Sequence, residues 1–362
     1  MKMVLKYKQR SFAGIIGFFL VLLSQGLLPV YAESSLTTDQ KNERRQELSQ
    51  SIKASDPLRA EKKNEYSANP WVVSMASNFG YDRNVTFDSR RLGDTFHQET
   101  AAATYTENHG KLAGFIPEGK YGVAGSVDQF DYSKRNESDY RNFKVNPFFT
   151  TNLTQADQFR TEYTMRNVRY LKSDQINYFS HEIKNSLTDS RFAHWLHTVY
   201  VSIDFRDYTD RFSLDAAGAA STEKRADVIN EYGYTIIYYP SEKLVFGATG
   251  AYKGDDSSDN FKNYSDYDGY KTIGFIYAVL NDRTSWVGAA GWDQRWFKAK
   301  TLSIDPAKNE SDGFLYFATY LYYNLTPKTQ FVVSYLWDQD FSNDPLLQFN
   351  GSMVTAGFSV KI

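Results

Sequence analysis

From residue 70 to the C-terminus the chain repeats one pattern: a large apolar or aromatic residue at every second position, with polar or small residues between. Trp71, Val73, Met75, Ser77, Phe79 and Tyr81 form one set; Val72, Ser74, Ala76, Asn78, Gly80 and Asp82 form the other. Trp286, Gly288, Ala290, Trp292 and Trp296 alternate with a set that includes Asp293 and Arg295. Leu315, Phe317, Leu321, Tyr323 and Leu325, and Phe331, Val333, Tyr335 and Trp337, continue it. A period of two puts successive side chains on opposite faces of a strand, so the pattern demands a sheet with one oily face and one polar face. The chain has 27 Tyr and 26 Phe, yet its mean hydropathy is −0.53. A soluble sandwich also alternates, but does not normally repeat long aromatic-rich strands this often with one face so polar. A transmembrane β-barrel reconciles the two numbers, because lipid-facing and lumen-facing residues average out.

Turn chemistry divides the connections into two classes. Short ones carry Pro, Asn or Asp: 115–119, 240–243, 281–284 and 326–329. Longer polar ones fall at 83–97, 133–139, 169–190, 219–230, 254–267, 298–311 and 341–349. Their alternation predicts strands over 70–82, 98–114, 120–132, 140–151, 158–168, 191–203, 207–218, 231–239, 244–253, 268–280, 285–297, 312–325, 330–340 and 350–362. That is an all-β, antiparallel up-and-down barrel of about fourteen strands, with twelve or sixteen left open by the ambiguous stretches 98–120 and 169–207. Both ends of the barrel sequence fall on the short-turn side, which is the periplasmic side of such a barrel. In hydrocarbon no backbone N–H or C=O can go unpaired, so the sheet is expected to close on itself.

Residues 1–32 read as a secretory signal peptide. Lys2, Lys6, Lys8 and Arg10 precede the apolar run 12–23, and Val30-Tyr31-Ala32 offers a cleavage site before Glu33. Residues 33–69, with seven acidic and seven basic residues, read as a polar periplasmic segment, partly helical or disordered, or else as a short docking helix or plug. The chain has no cysteine, which excludes disulfides, Cys-ligated zinc and thiol nucleophiles. Its net charge of −2 excludes a basic nucleic-acid binder.

If the apolar set faces lipid, Lys144, Arg160, Glu162, Arg166, Arg211, Asp215, Asp293, Arg295 and Asp338 are expected to line the lumen. Mixed-sign rows of this kind either favour small polar solutes or pair across the lumen as a scaffold. Tyr316, Tyr320 and Tyr322 would point inward, either as a track on which sugar rings stack or as an interface girdle. Asp255, Asp256, Asp259, Asp266 and Asp268 are read as a solvated acidic loop; the fragment 266–269 lacks the bidentate Glu of a calcium loop. His194 and His197, three apart on a strand, would face opposite sides and share no metal. No P-loop, dinucleotide glycine motif or HExxH occurs. No catalytic residue, metal or cofactor is expected.

The signal ending in Val30-Tyr31-Ala32, the related turns Asn152–Phe159 and Asn324–Phe331, and the apolar face Val354, Ala356, Phe358, Val360 and Ile362 of the last strand resemble bacterial outer-membrane β-barrels of the porin type. The resemblance covers roughly residues 70–362. It implies export to the outer membrane of a Gram-negative bacterium and insertion by the assembly machinery through the C-terminal strand. It also implies contact with lipid and lipopolysaccharide, and passive diffusion of small hydrophilic solutes. A barrel that anchors or assists surface polysaccharide or lipoprotein export, and a rim enzyme or adhesin, are the competing readings.

Overall fold

The computed structural model describes residues 70–85, 92–111, 116–135, 138–171, 177–215, 220–259, 264–302, 305–345 and 347–362, save the side chain at position 210. The expected signal peptide and the segment 33–69 lie outside these residues. Fourteen strands run in chain order: β1 Trp71–Asp82, β2 Asp94–His109, β3 Gly119–Tyr132, β4 Tyr140–Asn152, β5 Asp157–Tyr170, β6 Tyr178–Asp189, β7 Trp195–Leu214, β8 Ala220–Ser241, β9 Leu244–Ser257, β10 Tyr267–Val279, β11 Thr284–Thr301, β12 Asn309–Asn324, β13 Thr329–Ser342 and β14 Phe349–Lys361. Every neighbour is antiparallel, and β1 pairs with β14 from Ser74↔Lys361 to Asp82↔Met353, which closes the barrel. Closure leaves no strand edge with unpaired backbone groups.

The strand number matches the expectation, but the course of the chain through 178–230 does not. Residues 178–189, expected within a long loop, form β6, and the two strands expected at 191–203 and 207–218 are one 20-residue strand, β7. One strand gained and one lost leave the total unchanged. The expected loop 219–230 lies almost wholly in β8, the longest strand at 22 residues. Tight turns at 153–156, 242–243, 280–283 and 325–328 sit at the end where β1 begins and β14 finishes. In two of them Thr154 and Thr326 accept backbone N–H bonds from residues two and three positions on, which explains the related turn sequences.

Outward and inward faces follow the pleat. Trp71, Met75, Phe79 and Tyr81 on β1, Phe317, Leu321 and Tyr323 on β12, and Val354 and Phe358 on β14 are exposed on the outer surface. The inward face is not uniformly polar. Val245, Ile273, Phe275, Val287, Ala289, Phe314, Tyr316, Ala318, Tyr320, Leu336 and Phe349, from β9 to β14, form a close-packed apolar sector inside the barrel. A second inward cluster is an aromatic arc near the end with the longer connections. Phe96 stacks on Phe130 (5.3 Å between ring centres), Phe130 on Tyr140 (4.8 Å), and Tyr140 meets Tyr170 (5.5 Å).

Candidate functional site

The charged part of the inward face lies mainly on β4 to β11, and its unit is a pair of opposite charges two residues apart on one strand. The pleat points both members inward, so they meet without any cross-strand partner. Arg160 bonds Glu162 on β5, and its guanidinium sits 4.2 Å from the centre of the Phe148 ring. Arg206 donates to Asp204 at 2.7 Å on β7. Arg225 grips Asp227 with two N–H donors at 2.7 Å each, and a third reaches Ser265 at 2.8 Å. Arg295 donates to Asp293 at 3.3 and 3.4 Å on β11. Aromatic rings back several of these cations: Arg206 lies 5.2 Å from the Tyr178 ring centre, Arg225 5.4 Å from Tyr208 and Arg295 4.8 Å from Tyr267.

The residues expected to line the lumen are distributed as follows. Lys144 and Arg166 are direct cross-strand neighbours on the inward face, and Glu162 stands opposite Lys184. Arg211 reaches inward only because the register shifts past Asp207. Phe212 is exposed outside while Ser213 is buried, so odd positions face inward there. Its guanidinium lies 5.7 Å from the Tyr208 ring centre. Asp215 falls one residue beyond the end of β7 and belongs to the connection. Asp338 is fully buried opposite Tyr316. The inward faces of β12, β13 and β1 carry Glu310, Asp312, Asp338, Asp340 and Asp82 and no Lys or Arg. On that side Lys361 stands on the inward face of the intervening β14, and Lys300 of β11 bonds Glu310, so the wall there is predominantly acidic.

Two expectations need correction. Tyr316 is completely buried in the apolar sector, where its hydroxyl end covers Gly291 so closely that a Cβ there would lie 2.1 Å from it. It therefore presents no ring face to a solute. Tyr320 and Tyr322 stack on each other at 6.2 Å beside the same sector. The acidic stretch 255–268 is not simply a solvated loop. Asp255, Asp259 and Asp266 are buried; Asp266 accepts from the Ser257 N–H at 2.7 Å and Asp259 from the Leu214 N–H at 2.8 Å. Asp268 accepts a hydrogen bond from the Tyr252 hydroxyl on the outer face.

The functional reading of the sequence missed Asp204, Arg206, Arg225, Asp227 and Lys253 as inward residues, and took Asp255 for part of a solvated loop. The opposite-charge spacing of two, legible at 160/162 and 293/295, was present at 204/206 and 225/227 as well. Positions 204 and 206 fall between the expected strands 191–203 and 207–218, and 225 and 227 fall in the expected connection 219–230, so the spacing there carries no inward face. Five of these residues, Arg206, Arg225, Asp227, Lys253 and Asp255, join Arg295 in lining a cavity of about 30 Å³, which has room for one or two waters. His97, His109, His181 and His197 all occupy outward positions of their strands, and His194, with φ of 70°, is in the turn before β7. No histidine therefore faces the lumen among the described residues, and among them no cluster of His, Asp and Glu could hold a metal ion. Such an interior can order water, orient polar groups and stabilise charge, but it holds no histidine to act as a general base.

No protein-family model and no curated protein matches the chain. Among solved structures it is similar to the outer membrane channel DcaP of Acinetobacter baumannii, with 8% identity over 80% of this chain and 96% of that one and a TM-score of 0.47. It is also similar to an anion-selective porin from Comamonas acidovorans, with 8% identity, 81% and 98% coverage and a TM-score of 0.45. A third likeness is to a bacterial polysaccharide outer membrane secretin, with 7% identity, 82% and 99% coverage and a TM-score of 0.44.

Proposed function

We propose that this porin-like barrel sits in the outer membrane of a Gram-negative bacterium and passes small hydrophilic solutes by diffusion through a charged lumen. The observation that carries the reading is the division of one closed sheet into two surfaces. The outside is an apolar and aromatic band, and the inside presents rows of paired Arg, Lys, Asp and Glu. Water and polar solutes are stabilised along such a wall, while apolar ones gain nothing from it. Refolded residues 33–362 in a planar bilayer are expected to give stepwise conductance. A silent bilayer, both for 33–362 and for a chain shortened to begin at residue 70, would remove the channel reading.

One observation favours a second reading, in which the barrel anchors or assists export of a surface polymer. The apolar sector between β9 and β14 occupies part of the interior that a simple diffusion pore would leave to water. In that case deletion of residues 33–69 abolishes surface display of the polymer and leaves conductance as it was.

A further inference from the structure

On the outer face, at the end of the barrel with the longer connections, two arginines stand directly opposite each other. Arg141 of β4 and Arg169 of β5 are cross-strand partners, and both are exposed. Like charges in that relation repel. Among the described residues each makes a single side-chain bond, and each to a neutral amide oxygen: Arg141 Nε donates to Gln129 Oε1 at 3.2 Å and Arg169 Nε to Asn167 Oδ1 at 3.2 Å. Neither pairs with a carboxylate among the described residues. The acid on the adjoining strand, Asp131, already accepts the Gln129 amide N–H at 2.7 Å. Inside the barrel Arg160, Arg206, Arg225 and Arg295 each meet an acid two residues away on the same strand. Within β4 and β5, Arg141 and Arg169 have Phe143 and Asn167 at that spacing and no acid.

What the pair lacks among the described residues is an anion with several acceptor oxygens. Each guanidinium carries five N–H donors in a planar fork that fits phosphate. Cβ atoms of opposed residues lie roughly 5 Å apart, close enough for two arginines to share one phosphate. The surroundings place that phosphate on a lipid. Phe143, two residues from Arg141 on the same outward face and farther from the longer connections, is 51% exposed, whereas the outward neighbours of Arg141 on β3 are the polar Gln129 and Asp131. The pair therefore lies where the apolar band gives way to the polar rim. We propose that Arg141 and Arg169 together clamp the phosphate of a phosphorylated outer-leaflet lipid. The inference rests on the outer-membrane reading but not on conduction.

The test uses residues 33–362, wild type and the Arg141→Gln/Arg169→Gln double variant, refolded into vesicles of phosphatidylcholine alone or with lipid A. Insertion is scored first, by the shift in gel mobility on heating. Retention of lipid A on the detergent-extracted barrel is then measured by native mass spectrometry. Wild type is expected to retain lipid A about ten-fold more tightly than the double variant, with equal insertion in phosphatidylcholine. The single variants should fall between and serve if the double variant fails to insert. Equal retention by wild type and variant overturns the clamp, as does displacement of lipid A by millimolar inorganic phosphate, which would make the site one for free phosphate. Failure of wild type to insert at all would instead overturn the membrane reading, and absent conductance with lipid A still retained would overturn only the channel.

Discussion

The tightest chemistry in this molecule is carried by single residues spaced two apart. Arg225 and Asp227 are 3% and 2% exposed, and with Ser265 they form a closed set of charge-assisted bonds. A buried pair of this kind adds little to stability when compared with a well-packed apolar pair. Removing one member, however, strands the other's charge. Arg225→Met is therefore expected to destabilise the barrel by about 3–5 kcal/mol, and Arg225→Met/Asp227→Leu to recover most of that loss. Urea unfolding in vesicles measures both. If the single variant is as stable as wild type, Asp227 has water available and the site is open rather than packed. The spacing of two could be read from the letters alone, but its burial could not, because burial depends on what the neighbouring strands bring. Arg225 is enclosed by Tyr208 from β7 and by Ser265 from the connection before β10.

At the scale of elements, strands were legible where the outward face is continuously oily and obscure where it is not. On β6 the outward positions read Phe179, His181, Ile183, Asn185 and Leu187, so polar residues break the stripe at every other step. His181 is accommodated there by a hydrogen bond to Tyr163 and an edge contact with Phe179. The first half of β8 is polar on both faces, which a strand can be where it extends past the apolar band. The assignment of 178–189 to a spanning strand has a direct check. Ile183 is 45% exposed on the outer surface, and Ile183→Arg should cost roughly 2–4 kcal/mol of folding stability in vesicles if it faces the lipid midplane. In a surface loop the same change would be neutral, and Ile183→Leu serves as the matched control.

For the molecule as a whole, the decisive contact is the seam between β1 and β14. Without it two strand edges would carry unpaired N–H and C=O groups into hydrocarbon, at several kcal/mol each. The last strand supplies the seam through its backbone and the lipid face through Val354, Ala356, Phe358 and Val360, and the Ile362 N–H adds a bond to the Val73 carbonyl at 2.9 Å. A chain lacking residues 349–362 is therefore expected to lose the change in gel mobility on heating that the intact mature chain shows. Retention of that change in the truncated chain would mean that β13 can close directly on β1.

The alternation of the letters determined the class of this fold, its approximate strand number and which residues face out. It could do so because in a membrane the side-chain period and the solvent boundary coincide along every strand. Which inward residues pack together was decided only by how neighbouring strands pair. Tyr316, Phe314, Phe275 and Val287 are inward residues that a period of two assigns to a wet lumen. They stand on three neighbouring strands, β10, β11 and β12, and the pairing register sets them side by side in one buried apolar sector. Periodicity describes one strand at a time, whereas packing on the inward face depends on which residues of the neighbouring strands come into register.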